Sequence, residues 1–430
     1  MTAGFHTLGC KVNQYETQYM KELLERAGFT LATEAERPDV FVINSCTVTA
    51  ESDRKTRQLV RRYRALCPGS VIVLTGCMPQ AFPKEASALK EADVVLGNGT
   101  IPLLPELVRR YMETGERQAA VNPHGKERPP VVQRITGFSG RTKAFLKIED
   151  GCDRFCSYCI IPTARGRVRS KPLSQVRKEA SDLGRAGFRE LVLIGINLSA
   201  YGREEEYDLA DAAEAASRAP GVERVRLGSL EPDQLSDEMI SRLAAVPGFC
   251  PQFHLSLQSG CDETLRRMNR HYDTAFYRDL VCRLRSRFPD CSITTDIMVG
   301  FPGETEPAFL SSLSFCREIG FSKAHVFPYS PRRGTKAAEM PGQVEKRVKE
   351  RRAKEMLSAM EQSALAFHRA QVGKTTHVLV ENRLKSGELE GYTPHYVRVR
   401  FPGSEALCGQ ILPVRILHAD VDGCQGELVL

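Results

Sequence analysis

The first 117 residues alternate short continuous apolar runs with stretches of helical period. "AGFHTLGC" (3–10), "PDVFVINSC" (38–46), "SVIVLTGC" (70–77) and "ADVVLG" (92–97) read as strands, with helical patterns between them such as Gln14–Ala27 and the basic run behind Cys46. Unbroken apolar strands alternating with helices predict a parallel sheet covered on both faces. "NPHGKERPPVVQRITG" then breaks the pattern with Pro, Gly and charge, so residues 118–141 read as a linker.

From 142 to 370 the alternation resumes. Candidate strands are Lys143–Glu149, Glu190–Asn197, Arg224–Leu230, Gln252–Gln258, Ser292–Gly300 and Lys323–Tyr329, with helices such as Ser174–Ala186 and Phe276–Phe288 between them. Six βα units predict a partial (β/α)6 barrel, because eight would need more chain than is available. Gln343–Gln371 carries apolar residues at helical spacing, and residues 371–430 hold "THVLVE", "YVRVRF", "QILPVRIL" and "GELVL", which alternate apolar and polar. The last segment predicts a small antiparallel β-barrel. The fold class is therefore α/β: an N-terminal parallel sheet domain, a central partial barrel and a terminal β-barrel.

Composition narrows the chemistry. The chain has 430 residues, 42% of them hydrophobic, enough for two or three domains with cores of their own. No apolar run is long enough to span a bilayer and the first residues do not read as a signal peptide, so the expected location is the cytoplasm. In that compartment 14 cysteines predict metal binding or chemistry in preference to a disulfide framework. A net charge of +7 is compatible with a nucleic-acid partner without demanding one.

"GCDRFCSYCIIP" (151–162) places Cys152, Cys156 and Cys159 in one Gly-flanked loop after the first strand of the central domain. Barrel loops at strand C-termini are where active sites are built. Zinc ordinarily takes four ligands, and no second Cys pair or His is near. A [4Fe–4S] cube on three cysteines leaves one iron open to a substrate or cofactor. Three structural cysteines are the plainer alternative. The spacing CxxxCxxC with Tyr158 before the last cysteine resembles the radical S-adenosylmethionine (SAM) superfamily. The resemblance implies that the open iron binds SAM, that SAM is split to a 5′-deoxyadenosyl radical, and that Tyr158 lies near its adenine.

Cys10, Cys46 and Cys77 each end a predicted strand of the first domain, and strand C-termini in open α/β sheets line one crevice. One such cysteine is ordinary core; three in equivalent places predict a second three-ligand site. "TLGCKVNQYET", "INSCTVT" and "LTGCMPQ", with "HLSLQSGCDETLRRMNRHY" and "DIMVGFPGET", resemble the methylthiotransferase family of radical SAM enzymes, and residues 371–430 look like its TRAM domain. The resemblance covers nearly the whole chain. It implies two [4Fe–4S] clusters, a radical cluster on Cys152, Cys156 and Cys159 and a sulfur-providing auxiliary cluster on Cys10, Cys46 and Cys77, with no catalytic side chains beyond these ligands. "GCKVNQYET" resembles the MtaB branch, which implies a tRNA substrate, N6-threonylcarbamoyladenosine; isopentenyladenosine in tRNA and an aspartate of a ribosomal protein are the alternatives. The electron donor is left open.

Further SAM contacts implied by the same resemblance are Asn197, Glu231, Asp296 and Gly300, with Gln258, Ser259 and Gly260 as pocket liners. His254 reads as a satisfied interior histidine, and Cys282 and Cys316 as core. Arg165, Arg167, Arg169 and Lys171 alternate, which in an extended segment presents all four to one side, toward RNA phosphates. Arg54–Arg64 and Gln343–Gln371 are further basic runs, the latter interleaved with acids in a way that also fits a solvated helix. Acidic residues slightly outnumber basic ones in 371–430, so that barrel is not basic; Tyr392, Tyr396 and Phe401 there suit either base stacking or a core.

Overall fold

β1 (Thr2–Thr7), β3 (Val40–Ser45), β4 (Val71–Gly76) and β5 (Val94–Leu96) form where the apolar runs predicted them in this computed structural model, which describes residues 1–125 and 129–429. They are joined by β2 (Thr30–Leu31) and by β6 (Gln118–Ala120), an edge strand at the start of the expected linker. The order is β2-β1-β3-β4-β5-β6 and every pairing is parallel. Helices α1 (Lys11–Arg26), α2 (Ala50–Leu66), α3 (Cys77–Ala81), α4 (Pro83–Ala88) and α5 (Leu104–Thr114) make the connections.

Alternation across each strand sorts its side chains to two faces. Val40, Val42, Val71, Val73, Val94 and Leu96 share one core with Met20, Leu24 and Val108 of the covering helices. Phe41, Ile43, Ile72, Leu74 and Val95 share the other with Val60 and Tyr63 of α2. Two buried faces are the reason these strands read as unbroken apolar runs.

The chain folds as two compact units that are not contiguous in sequence. The first comprises Met1–Ile135, Asp150–Ser170 and Ser330–Ala338; the second comprises Thr136–Glu149, Lys171–Tyr329 and Glu339–Leu430. The first unit thus contains the sheet, the 152–159 loop and a short return segment.

In the second unit six parallel strand positions follow in sequence order. Ala144–Lys147, Glu190–Ile194 and Arg224–Leu227 form one sheet; Ser229–Leu230, Gln252–Leu255, Ser292–Val299 and Lys323–Pro328 form the next. The third strand is broken at Gly228, whose backbone passes the Leu193 carbonyl so closely that a Cβ there would lie 3.1 Å from it. The second strand ends three residues earlier than its apolar run suggests, because the backbone N–H groups of Ile196 and Asn197 donate to the Glu149 carboxylate (2.7 and 2.8 Å). Of the two helical cysteines, Cys316 is core but Cys282 is exposed, a correction to the pattern reading: its position on the helix Thr274–Arg287 faces solvent.

The terminal barrel is closed by the strands Thr375–Arg383, Leu389–Tyr392, Arg398–Phe401, Gly423–Leu428 and Ile411–Asp420, in that spatial order. Its pairings are antiparallel except for Arg398–Phe401 with Gly423–Leu428. Leu389–Tyr392 escapes the alternation test because Gly391 sits against the Leu379 carbonyl, where a Cβ would come within 2.2 Å. Phe401 is core. Tyr392 and Tyr396 stack on one another at 4.7 Å between centroids, and Lys143 lies over both rings.

His395, between those tyrosines, gives the unit an acid limit. Burial, reinforced by Arg226, Lys374 and Arg224 against the opposing Asp290, pushes its imidazole down to about 4. An unfolded His titrates near 6.5. Between those values the unfolded chain binds the extra proton, so stability is full above pH ~6.5 and falls as pH drops toward ~4, by roughly 1–3 kcal/mol. In acid-titrated denaturant melts, His395→Gln is expected to flatten this slope; an unchanged slope would place the titrating group elsewhere.

Candidate active site

The sheet order makes the first cysteine trio a local structure. β1, β3 and β4 are neighbours, and their C-terminal ends carry Cys10, Cys46 and Cys77. Strands lie about 4.8 Å apart, so three adjacent ends gather thiols within roughly 10 Å. Gly9 has φ +108, and a Cβ on it would sit 3.3 Å from the Cys46 sulfur; Gly76 has φ +96, with the Ser45 carbonyl 2.4 Å from where its Cβ would be. Both turns require glycine.

The polar residues around the cysteines knit the three strand ends together. Asn13 donates to the carbonyls of Leu8 and Ser45, both at 2.9 Å. Asn44 donates back to the Asn13 carbonyl (2.9 Å) and to Thr17. Ser45 Oγ donates to the Thr75 carbonyl (2.6 Å) and accepts from the Met78 N–H. Gln80 donates to the Asn122 carbonyl and accepts the Asn98 N–H. Each of these side chains is buried. The "CxxN", "NSC" and "CMPQ" patterns are thus the hydrogen-bonded frame of a thiol site.

The second trio lies in the same compact unit. Its loop is folded by the Cys152 N–H to the Gly166 carbonyl and the Cys159 N–H to the Cys156 carbonyl, both 3.0 Å, and by Ala337 N–H to the Ser157 carbonyl at 2.8 Å. Gly151, at φ +93, passes the Arg167 carbonyl where a Cβ would be 1.9 Å away. Cys152, Cys156, Cys159 and Tyr158 are all partly exposed, as a loop that receives a ligand requires.

The basic comb after this loop is corrected by the structure. Residues Ile161–Arg165 form a short helix, α6, which takes Arg165 out of any extended run, while Arg169–Ser170 is a short strand. Arg165 is wholly buried against Glu16, Arg169 pairs with Asp150, and Lys171 is buried on Glu179; Arg167 alone of the four is exposed. The other basic runs also carry internal pairs. Arg54 and Lys55 meet Glu51, Arg64 meets Asp93, and Arg352 is buried against Glu304 and Glu306.

Arg165 is the residue that sequence reasoning assigned to the wrong task. Its Nε donates to the Cys77 sulfur at 3.3 Å, and its Nη2 donates to Asn13 Oδ1 at 2.8 Å and Glu16 Oε2 at 3.0 Å. A second buried arginine, Arg332, donates to Thr47 (2.8 Å) and Asp53 (2.7 Å), bracing the turn behind Cys46. Burial pushes the Cys77 thiol up to about 12 against the lowering effect of Arg165. A thiol buried as Cys77 is favours the thiolate only when further positive charge arrives with a metal.

Among the described residues no three His, Cys, Asp or Glu side chains stand close enough to hold a single metal ion. The two donor sets of three thiols each, with the hydrogen-bonded frame, fit [4Fe–4S] cubes, which take cysteine thiolates as ligands.

In the second unit, Asn197 follows the strand Glu190–Ile194 and Gln258 follows Gln252–Leu255. Asn197 Oδ1 and Gln258 Oε1 are buried without a protein partner, and Gln258 holds a left-handed φ of +68. Buried acceptors left open beside strained backbone are the mark of a ligand site. They match the N–H and O–H donors of an amino acid and a ribose, as SAM has. Asp296 is held below the usual carboxylate range despite burial by His254, 3.3 Å away, whose other ring nitrogen meets Thr294. Glu231 is ion-paired with Arg270. Gly300 takes φ +70, and its N–H donates to Glu304 at 2.7 Å.

Comparison with known proteins decides the family. Residues 2–97 match the uncharacterized protein family UPF0004 and residues 146–316 the radical SAM superfamily. The chain is 38% identical over its full length, and 96% of the relative's, to a threonylcarbamoyladenosine tRNA methylthiotransferase MtaB of Bacillus subtilis. It is 36% identical over 100% of its length to the protein of the same name from Thermotoga maritima, 98% of which is covered. The chain belongs to the radical SAM methylthiotransferase family. It is also 35% identical, over 98% of its length and 93% of the relative's, to a tRNA-2-methylthio-N(6)-dimethylallyladenosine synthase of Symbiobacterium thermophilum. Among solved structures, the radical SAM methyltransferase TsrM from Kitasatospora setae, with cobalamin and a [4Fe-4S] cluster bound, superposes with TM-score 0.57 over 77% of this methylthiotransferase and 76% of that chain, at 15% identity. At that identity the likeness is one of fold.

Proposed function

We propose that this methylthiotransferase acts on tRNA in the cytoplasm and places a methylthio group on C2 of N6-threonylcarbamoyladenosine, the adenosine 37 beside the anticodon. The observation that carries the reading is the full-length match to the two MtaB proteins, 38 and 36% identical. No helix among the described residues is long and apolar enough to cross a membrane. When bound, two [4Fe–4S] clusters and SAM supply the carbon radical, the sulfur and the methyl group that an unactivated C–H bond demands. The electron comes from a one-electron donor.

The chain's own work is to hold and orient. Cys152, Cys156 and Cys159 would hold the radical cluster, and Cys10, Cys46 and Cys77 the auxiliary one, on strand ends fixed by Asn13, Asn44 and Ser45. The family resemblance assigns Asn197, Glu231, Asp296 and Gly300 of the second unit to SAM contacts, and Tyr158 to its adenine. Glu149, fully buried, accepts from the backbone N–H groups of Ile196 and Asn197 and so fixes the turn that carries Asn197.

The test is nucleoside mass after digestion. Anaerobically reconstituted enzyme is incubated with tRNA carrying N6-threonylcarbamoyladenosine, with tRNA carrying isopentenyladenosine, and with ribosomal protein. A methylthio group is expected on the first substrate alone. Its appearance on either of the others, with none on the first, overturns the assignment.

A further inference from the structure

Arg165 ends the short helix that begins two residues after Cys159, directly before Gly166, whose carbonyl accepts from the Cys152 N–H, yet it touches the other trio. It is 0% exposed, as is Glu16, its main partner. The planar guanidinium uses both edges. The Nη groups engage Glu16 and Asn13, with Asp150 3.5 Å away, and leave Nε directed at the Cys77 sulfur. The planar fork holds Nε and both Nη at fixed angles, so the carboxylate and the sulfur are each met by an aimed N–H, which a lysine ammonium, a point charge on a flexible stem, does not reproduce. Asn13, which shares the Arg165 Nη2, is itself 3.6 Å from the Cys10 sulfur through the same Oδ1. The guanidinium is therefore wired to the frame of two of the three thiols.

We infer that Arg165 is a positioning residue for the cluster on Cys10, Cys46 and Cys77, and that its N–H to Cys77 sets how readily this cluster is reduced. The inference rests on the two-cluster reading above. A hydrogen bond donated to a cluster sulfur withdraws charge from it and stabilises the reduced form. The chain segment that carries the radical trio thereby supplies the donor that adjusts the sulfur-providing trio.

The test uses the full chain with Cys152, Cys156 and Cys159 all changed to Ala, so that any cluster signal belongs to the first trio. In this background Arg165→Met is combined with Glu16→Gln, which removes the hydrogen bond without leaving the Glu16 carboxylate buried and unpaired. Iron is assayed, and the cluster is titrated by EPR against redox mediators. The background is expected to hold about four irons. The double change is expected to disfavour the reduced form about tenfold, a fall of about 59 mV for a one-electron couple. Should the double variant lose its iron, Arg165→Lys is read by the same titration, with a fall expected again. Four irons with an unmoved potential overturn the role of Arg165 and leave the two-cluster reading standing. A background without iron overturns that reading, and the inference with it.

Discussion

Cys46→Ala is expected to abolish methylthio transfer while SAM cleavage persists, and to lower iron from about eight to about four per chain. The effect is large because the loss is chemical, not structural. Cys46 follows β3 and its side chain is small and only partly buried, so truncation costs the fold about 1 kcal/mol or less. The strand ends stay in place, since Ser45, Asn44 and Asn13 hold them through bonds that do not involve the thiol. What is lost is one of three ligands in a set with no substitute: no fourth cysteine lies at that edge of the sheet among the strand ends described. The radical trio keeps its own loop bonds. The measurement is paired: 5′-deoxyadenosine for SAM cleavage, and modified nucleoside for transfer. Survival of both activities would mean that the first trio is not a functional site.

The placement of the six cysteines in the fold was legible for two different reasons. Cys152, Cys156 and Cys159 form a local motif, visible from spacing alone. Cys10, Cys46 and Cys77 are far apart in sequence, and became visible because each closes an apolar run and parallel sheets gather strand ends. The frame was less legible. Asn13, Glu16, Asn44 and Ser45 sit inside quoted motifs, but nothing in a linear pattern says that Glu16 meets a residue 149 positions away. The Arg165 error has the same root. Period-two spacing of basic residues predicts a one-sided comb only where the whole run is extended and unpaired; a five-residue helix, opened by Ile161 and Pro162 and stopped at Gly166 with φ +73, removes Arg165 from it, and acids take Arg169 and Lys171. The signal that would have found it is the conflict between "IPTARG", a helix start and stop, and the strand that the comb requires. Tyr392 and Tyr396 were open between RNA and core; the cations over their rings occupy them within the second unit.

Arg226→Met is the second large expected effect, a loss of about 3–5 kcal/mol from the second unit. Arg226 is 1% exposed and lies on the strand Arg224–Leu227. Its Nε donates to Glu190 at 2.9 Å, Nη1 donates to the Pro394 carbonyl at 2.8 Å, and Nη2 donates to the Thr393 carbonyl at 3.1 Å. It also lies 4.7 Å from the centre of the Tyr396 ring. One guanidinium thus neutralises a buried carboxylate and fastens the terminal barrel's 393–396 turn to the partial barrel. Burial alone would lift the Glu190 carboxyl, but Arg226, with Lys143 and Arg224 behind it, holds it below the usual range. Removing Arg226 leaves that charge with the longer 3.6 Å approach of Arg224, takes the donor from the Pro394 carbonyl and leaves the Thr393 carbonyl only the Tyr396 N–H. Because the penalty comes from the stranded partner, Arg226→Met with Glu190→Met should recover most of it, whereas Glu190→Met alone leaves a buried cation and should cost nearly as much as the first change. Denaturant melts of the four proteins close the cycle. Single losses that simply add in the double variant would show that Glu190 and Arg226 act independently, and that the barrel is held by packing around Tyr392 and Tyr396 instead.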